Sequence, residues 1–235
     1  QSPLFDAEIV GVVRRLQEWN LMKVDGTISP AGETLRFLNV PLLLRLKQIE
    51  ISLDKIRNMP NNWGSHFVFV NSAAAEISDW SASAQDGRSK FNYYMRGVVG
   101  RIERRTPTKR DFIREAILNP TWTVPRSLLR KDKINNLIKD PHWADSAGFR
   151  FYFDGEETSP SNIPWSIDMD TSRVNMVQQP SYNNALGVVK FPLEDMGDDV
   201  YLHDTPEREL FRETLRFKSS GCVRLEYPVR FAETV

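Results

Sequence analysis

The apolar residues of this chain change their period once, between about residues 58 and 66, and that change limits what the chain can fold into. Before it, Leu42, Leu46, Ile49, Leu53 and Ile56 recur at helical spacing on one face. After it, Phe67 and Phe69 alternate with Val68 and Val70, the period of a strand. Met59-Pro60 and Trp63-Gly64 break the helix between the two regimes. The sequence therefore predicts a helical unit over 1–58, ending in a connector helix, and a mostly β domain over 66–235.

Within the helical unit, Val10, Val13, Leu16 and Gln17 form a first stripe, and Asp25-Gly26 signals a turn. Ser29-Pro30 predicts a helix start, with Ser29 as N-cap and Pro30 at the first helical position. That helix carries Leu35 and Leu38 and ends near Asn39. In the β domain, Ile77 to Trp80 is expected to partner the first strand. A polar turn over Ser81 to Gly87 leads to a strand over Phe91 to Gly100, and Phe112 to Leu118 is expected as another strand. Ser127 to Lys139 reads as a helix inside an insertion at about 126–170, too long for a hairpin loop and suited to a lid. The core is then expected to resume with strands over Val174 to Gln179, Val188 to Phe191 and Val200 to His203, with an acidic turn over Met196 to Asp199.

Bulk properties exclude several functions. Lysine plus arginine equals aspartate plus glutamate at 31 each, so no net field favours nucleic acid or an anionic membrane. No apolar run approaches a membrane span, and Gln1-Ser-Pro lacks the basic start and apolar core of a signal peptide. The single cysteine, Cys222, excludes an internal disulfide and a thiolate zinc site, and nothing in the sequence calls for a cofactor.

Cys222 lies in Ser219-Ser-Gly-Cys222-Val-Arg224, and His203 in Val200-Tyr-Leu-His203. A lone thiol beside glycine, with an imidazole on a preceding strand, suits nucleophilic catalysis. Imidazole takes the proton that a free thiol holds at neutral pH, and the backbone N–H groups of Ser220, Gly221 and Cys222 are candidates for an oxyanion site. On an extended segment Arg224 shares the face of Cys222. Asp204 is expected to be structural, leaving a backbone carbonyl to orient His203. The alternative readings are a buried structural cysteine and a zinc site of His66, His142 and His203, for which no metal-type spacing exists.

The combined string Tyr201-Leu-His203-Asp-Thr-Pro206, Leu210-Phe211, Ser219-Ser-Gly-Cys222-Val-Arg224 resembles the catalytic signature of bacterial L,D-transpeptidases. Gly100-Arg-Ile-Glu-Arg-Arg-Thr-Pro107, Leu118-Asn-Pro-Thr-Trp122-Thr-Val-Pro125 and Asn183-Asn-Ala-Leu-Gly187-Val-Val-Lys-Phe191 are similar to the large Gram-negative branch of that family. Leu16-Gln17, Asp25-Gly26, Ile28-Ser29-Pro30 and Leu38-Asn39 resemble the second half of a peptidoglycan-binding repeat, whose first helix would precede Gln1. The resemblance implies a β-sandwich catalytic domain with a helical capping insertion and a partial peptidoglycan-binding module. It implies Cys222 as nucleophile and His203 as base and acid, with Tyr201, Arg224, Trp122 and Ser220 lining the substrate. Peptidoglycan stem peptides would be the substrates, carbapenems the inhibitors, and the bacterial envelope, in particular the periplasm, the location. Hydrolysis on the same thioester chemistry and a wall-binding scaffold with an idle site remain as alternatives. Two departures stand out: Ser181 occupies a position where the family usually has a turn glycine, and the chain ends at Val235, where the family normally continues.

Overall fold

The structure is a computed structural model that describes residues 5–20, 22–60, 62–83, 88–195 and 197–235. The chain divides into two compact units, Gln1–Phe67 and Val68–Val235.

In the first unit, helix α1 spans Ala7–Trp19 and is capped by the Asp6 carboxylate, which accepts the Ile9 N–H at 2.9 Å. Gln17 is buried near its end and organises the following turn. Its amide donates to Asp25, the Thr27 carbonyl and Thr34, and its carbonyl oxygen accepts the N–H groups of Asp25 and Gly26. A buried amide with its partners satisfied stabilises one conformation; one left unsatisfied would cost about 1–3 kcal/mol. Thr27 donates from both N–H and hydroxyl to the Asp25 carboxylate, and these bonds, with that from Gln17, hold its pKa down at about 2. Helix α2 spans Glu33–Leu38 and α3 spans Leu42–Arg57. Ser29 is not the cap of α2. Pro30 and Ala31 are the central residues of a turn closed by Gly32 N–H to the Ser29 carbonyl, Ala31 has φ +56°, and Gly32 takes the cap position.

The second unit is built on a mixed eight-stranded sheet. Its strands are β1 (His66–Asn71), β2 (Glu76–Ala82), β3 (Ser89–Gly100), β4 (Ile117–Leu118), β9 (Val189–Leu193), β10 (Gly197–His203), β11 (Phe217–Ser219) and β12 (Val223–Leu225). Their order is β1-β2-β3-β12-β10-β9-β4, with β11 also on β3. β3 is shared: its first part pairs antiparallel with β2, Gly97 and Val98 pair antiparallel with β12, and Val99 and Gly100 pair parallel with β11. One face packs Ile77, Met95, Val99, Phe191, Leu202, Val223 and Leu225 with Phe231 of the helix α6, Pro228–Ala232. Phe191 and Phe231 meet edge to face at 4.8 Å, and each buried ring contributes about 2–3 kcal/mol.

The insertion is not only helical. Strands β5 (Trp122–Thr123), β6 (Phe149–Phe153), β7 (Glu156–Thr158) and β8 (Val174–Gln178) form a second sheet in the order β5-β8-β6-β7. The expected return to the main sheet at Val174 is thus corrected, because both edges of β8 are taken by β5 and β6. Asp154 and Gly155 both have positive φ and close the β6–β7 hairpin, a signal legible in the Asp-Gly pair. The helical part runs through Arg126–Leu128 (α4), a π-helical turn at Leu129–Lys133 and Ile134–Lys139 (α5). Leu129, Leu137, Phe151, Val174 and Met176 give the insertion its own core.

The expected strand over Phe112 to Leu118 reduces to β4 plus a bridge from Ile113 to Leu193, since the Phe112 N–H turns back to the Asp111 carboxylate. Gly197 to Asp199 begin β10 instead of making a turn, and Met196 lies outside the described residues. Residues 84–87 of the expected polar turn also lie outside them, while Ser81 and Ala82 belong to β2.

Candidate active site

The register of three strands builds the site. Leu202 pairs with Val223 on β12 and Phe191 on β9, and all three point into the core. The next position turns to the other face, where His203 pairs with Arg224 on one side and Lys190 on the other. Lys190, His203 and Arg224 thus form a row across the sheet. Tyr201, two residues before His203, shares that face; its ring centroid is 5.5 Å from the imidazole, and the Lys190 ammonium stands 4.3 Å over it.

Extending the β10–β12 register by one residue sets Cys222 beside Tyr201. Both the N–H and the phenol O–H of Tyr201 bond to the sulfur. Burial pushes the thiol pKa up, and these two bonds, with Lys190 and Arg224, work against that rise. His203 is buried, and its Nδ1–H donates to the Asp204 carbonyl at 2.5 Å. A backbone carbonyl is therefore the orienter, and Nε2 is left as the acceptor. Burial, then Arg224, lowers the imidazole pKa from 6.5 to about 3; the Asp204 carbonyl opposes the shift and Lys190 adds to it. At neutral pH the resting pair is an uncharged imidazole and a protonated thiol.

The Asp204 carboxylate is structural: it accepts the Val188 N–H and the Arg208 guanidinium, both at 2.9 Å. Arg224 pairs with Glu207 and donates to the Thr205 hydroxyl, and its Nε is buried with no hydrogen-bond partner.

The loop carrying Cys222 is tied on both sides. The Ser219 hydroxyl donates to the Cys222 carbonyl at 2.6 Å and accepts the Gly221 N–H at 3.2 Å. Thr106 donates to the Gly221 carbonyl, and Gly221 has φ +125°, a conformation that favours glycine. Of the N–H groups expected at the oxyanion site, that of Gly221 is engaged by the Ser219 hydroxyl. The Ser220 hydroxyl accepts from Arg101 and Arg104. Trp122 stands on the second sheet, half-buried against Phe149, with Lys133 6.0 Å over its ring. His66 opens β1, and His142 bonds to Asp145 and Ser161 in the insertion; among the described residues no group of metal-binding side chains is drawn together.

Sequence reasoning did not single out Lys190, Arg101 and Arg104, which the structure places beside His203 and Ser220. A lysine between Val189 and Phe191 was the available signal for the first, because it had to face away from the core. Ser181, the departure from the family turn, is not at positive φ; the turn is held by buried Asn184, which donates to the carbonyls of Pro120 and Gln179.

A mixed sheet that sets a lone thiol on one face with a carbonyl-oriented imidazole defines a candidate cysteine acyl-transfer domain. The chain belongs to the L,D-transpeptidase family: the model of the L,D-transpeptidase catalytic domain (YkuD) matches residues 65–235. A Haemophilus influenzae protein described as "Putative L,D-transpeptidase" is 33% identical over 146 residues, which is 58% of this chain and 29% of that protein. The chain thus spans less than a third of the length of that relative.

The state of His203 gives a pH prediction. Between the unfolded pKa of 6.5 and the folded value of about 3, the unfolded chain binds the proton and the folded chain does not. This contribution to stability is complete above pH 6.5 and is lost as pH falls. Between pH 6.5 and 5, above the range where ordinary carboxylates titrate, the loss is about 2 kcal/mol. Thermal unfolding across that interval is expected to show the slope in the native chain and a much shallower one in His203→Gln. Equal slopes would refute the burial of a neutral imidazole.

Proposed function

We propose that the domain forms crosslinks between peptidoglycan stem peptides through a Cys222 thioester. The observation that carries this reading is the shared sheet face on which Tyr201 bonds to the Cys222 sulfur and His203 stands between two cations. His203 takes the thiol proton as the sulfur attacks the carbonyl at the L-centre of a stem diamino acid. The bond to the terminal D-alanine breaks, and His203 returns the proton to the leaving amine. The side-chain amine of a second stem then attacks the thioester; its proton passes through His203 to the released thiolate. Tyr201 stabilises the thiolate with two donors, and Arg224 and Lys190 make the face attractive to substrate carboxylates.

The insertion over 126–170 serves as the cap, with Trp122 at its root meeting the stem, and the first unit derives from a wall-binding module. The site is a target for carbapenems, whose strained carbonyl acylates the same sulfur, and the protein works in the bacterial envelope, in the periplasm.

Incubation with purified disaccharide-tetrapeptides, followed by mass spectrometry, tests this. Crosslinked dimers with loss of D-alanine are expected. Shortened stems alone would instead make the domain a carboxypeptidase, and unchanged stems with an unreactive thiol would leave a scaffold.

A further inference from the structure

Arg104 lies in the 3₁₀ turn Ile102–Arg104, just after β3. Its guanidinium does two things at once. Nη1 donates to the Ser220 hydroxyl at 3.1 Å, and the fork made by Nη1 and Nη2 grips the Asp132 carboxylate at 2.6 and 2.7 Å. Ser220 is two residues before the thiol; Asp132 belongs to the insertion, inside its π-helical turn. A π turn interrupts the regular hydrogen-bond ladder and is frequent at functional sites. Here Leu129, which opens the turn, and Ile134, which follows it, are both buried, while Asp132 reaches Arg104.

We propose that Arg104 is a positioning residue that couples the insertion to the nucleophile loop, so that the hold of the insertion on Arg104 sets the reactivity of Cys222. This rests on the reading of Cys222 as nucleophile, but its test does not depend on turnover. Both pair members have shifts that match the contact. The bond from Arg104 holds the Asp132 carboxyl below the usual carboxylate range, and the bond to Asp132 raises the Arg104 guanidinium. The pair is part-exposed at 22% and 36%. A simple surface pair at such exposure contributes little, whereas a bidentate one fixes direction as well as distance. Arg104, together with Arg101, thereby holds the Ser220 hydroxyl, and Ser219 ties the Gly221 N–H and the Cys222 carbonyl, so the loop that carries the thiol toward Tyr201 is held at both serines. The charged and titratable groups facing the thiol are Tyr201 and His203 from β10, Lys190 from β9 and Arg224 from β12. None of them belongs to the insertion, so an effect from Asp132 reaches the loop through the arginines beside it, Arg104 by its bidentate hydrogen bonds and Arg101 by charge alone.

Iodoacetamide is too small to need the insertion, and it reports on Cys222 because the chain has no other cysteine. Its rate against pH should be measured for the native chain, Asp132→Asn, Ser220→Ala, the double variant and Arg104→Lys, with melting curves for each. Asp132→Asn is expected to slow alkylation at neutral pH about three- to tenfold and to move its pH profile upward, because the loosened loop weakens the Tyr201 bonds that favour thiolate. Arg104→Lys should behave like Asp132→Asn, since an ammonium lacks the fork. In the Ser220→Ala background, Asp132→Asn should add nothing further. An unchanged pH profile in folded Asp132→Asn, or effects that multiply in the double variant, would overturn the proposal. Turnover that survives in a further variant, Cys222→Ala, would overturn the catalytic reading instead, a result separate from the alkylation series.

Discussion

Cys222→Ala is expected to abolish covalent chemistry while leaving the fold in place. Turnover should fall by roughly 10⁴-fold or more, as when a covalent nucleophile is removed from an intact site. The physical reason is that no other group on that face is a comparable nucleophile: Lys190 and Arg224 are cations, the Tyr201 phenol holds its proton at neutral pH as a hydrogen-bond donor, and His203 is buried and oriented through Nδ1. The stability cost should be about 1 kcal/mol, since a protonated, half-buried thiol acts as a small apolar group. Intact-protein mass after exposure to a carbapenem checks the chemistry, and a melting curve checks the fold. An acyl adduct on the variant would place the nucleophile elsewhere.

Gly187→Ala is expected to have the second large effect, and it acts through His203 from a distance. Gly187 has φ +59°, and a Cβ there would lie 2.2 Å from the Asp204 Oδ2 and 2.6 Å from its Cβ. Asp204 has little room to yield. Its carboxylate holds Val188 and Arg208, its N–H bonds to the Val189 carbonyl, and its own carbonyl orients His203. The substitution should cost about 3–5 kcal/mol, from overpacking plus the left-handed backbone. This corresponds to a fall in melting temperature of roughly 10 °C for a chain of this size. Gly148→Ala is the control: its φ is +72° with nothing within 4 Å of an added Cβ, so it should cost only about 1–2 kcal/mol. Equal melting temperatures for the two variants would show that the Asp204 contact carries no weight.

Several elements were legible in the sequence because their signal is local. The alternation around Phe67, the apolar run ending at Gly100 and the Val-Tyr-Leu-His203 string each gave a strand. The insertion was legible as an interruption but not as a sheet. Phe149-Arg-Phe-Tyr-Phe153 alternates only partly, and its partner β8 lies 20 residues further on with an equally good claim on the main core. Ser29-Pro30 misled because Ser-Pro serves both helix starts and turns; Ala31 at positive φ chose the turn.

By itself the sequence determined the division into a helical and a mostly β part, the family, and the identities of Cys222, His203, Tyr201 and Arg224 as a candidate constellation. These are matters of period and of ordered strings. Tertiary structure alone decided which groups meet. It set Lys190 against His203, gave the Gly221 N–H to Ser219 and joined Asp132 to Ser220 through Arg104. It also enclosed the guanidinium of Arg216 among the carbonyls of Gly97, Glu213, Ala74 and Ala75. The reason is that alternation fixes the face of each residue within its own strand. The register between strands distant in sequence is set by how their buried faces pack together, and a one-residue slip would turn every one of these side chains to the other side of the sheet.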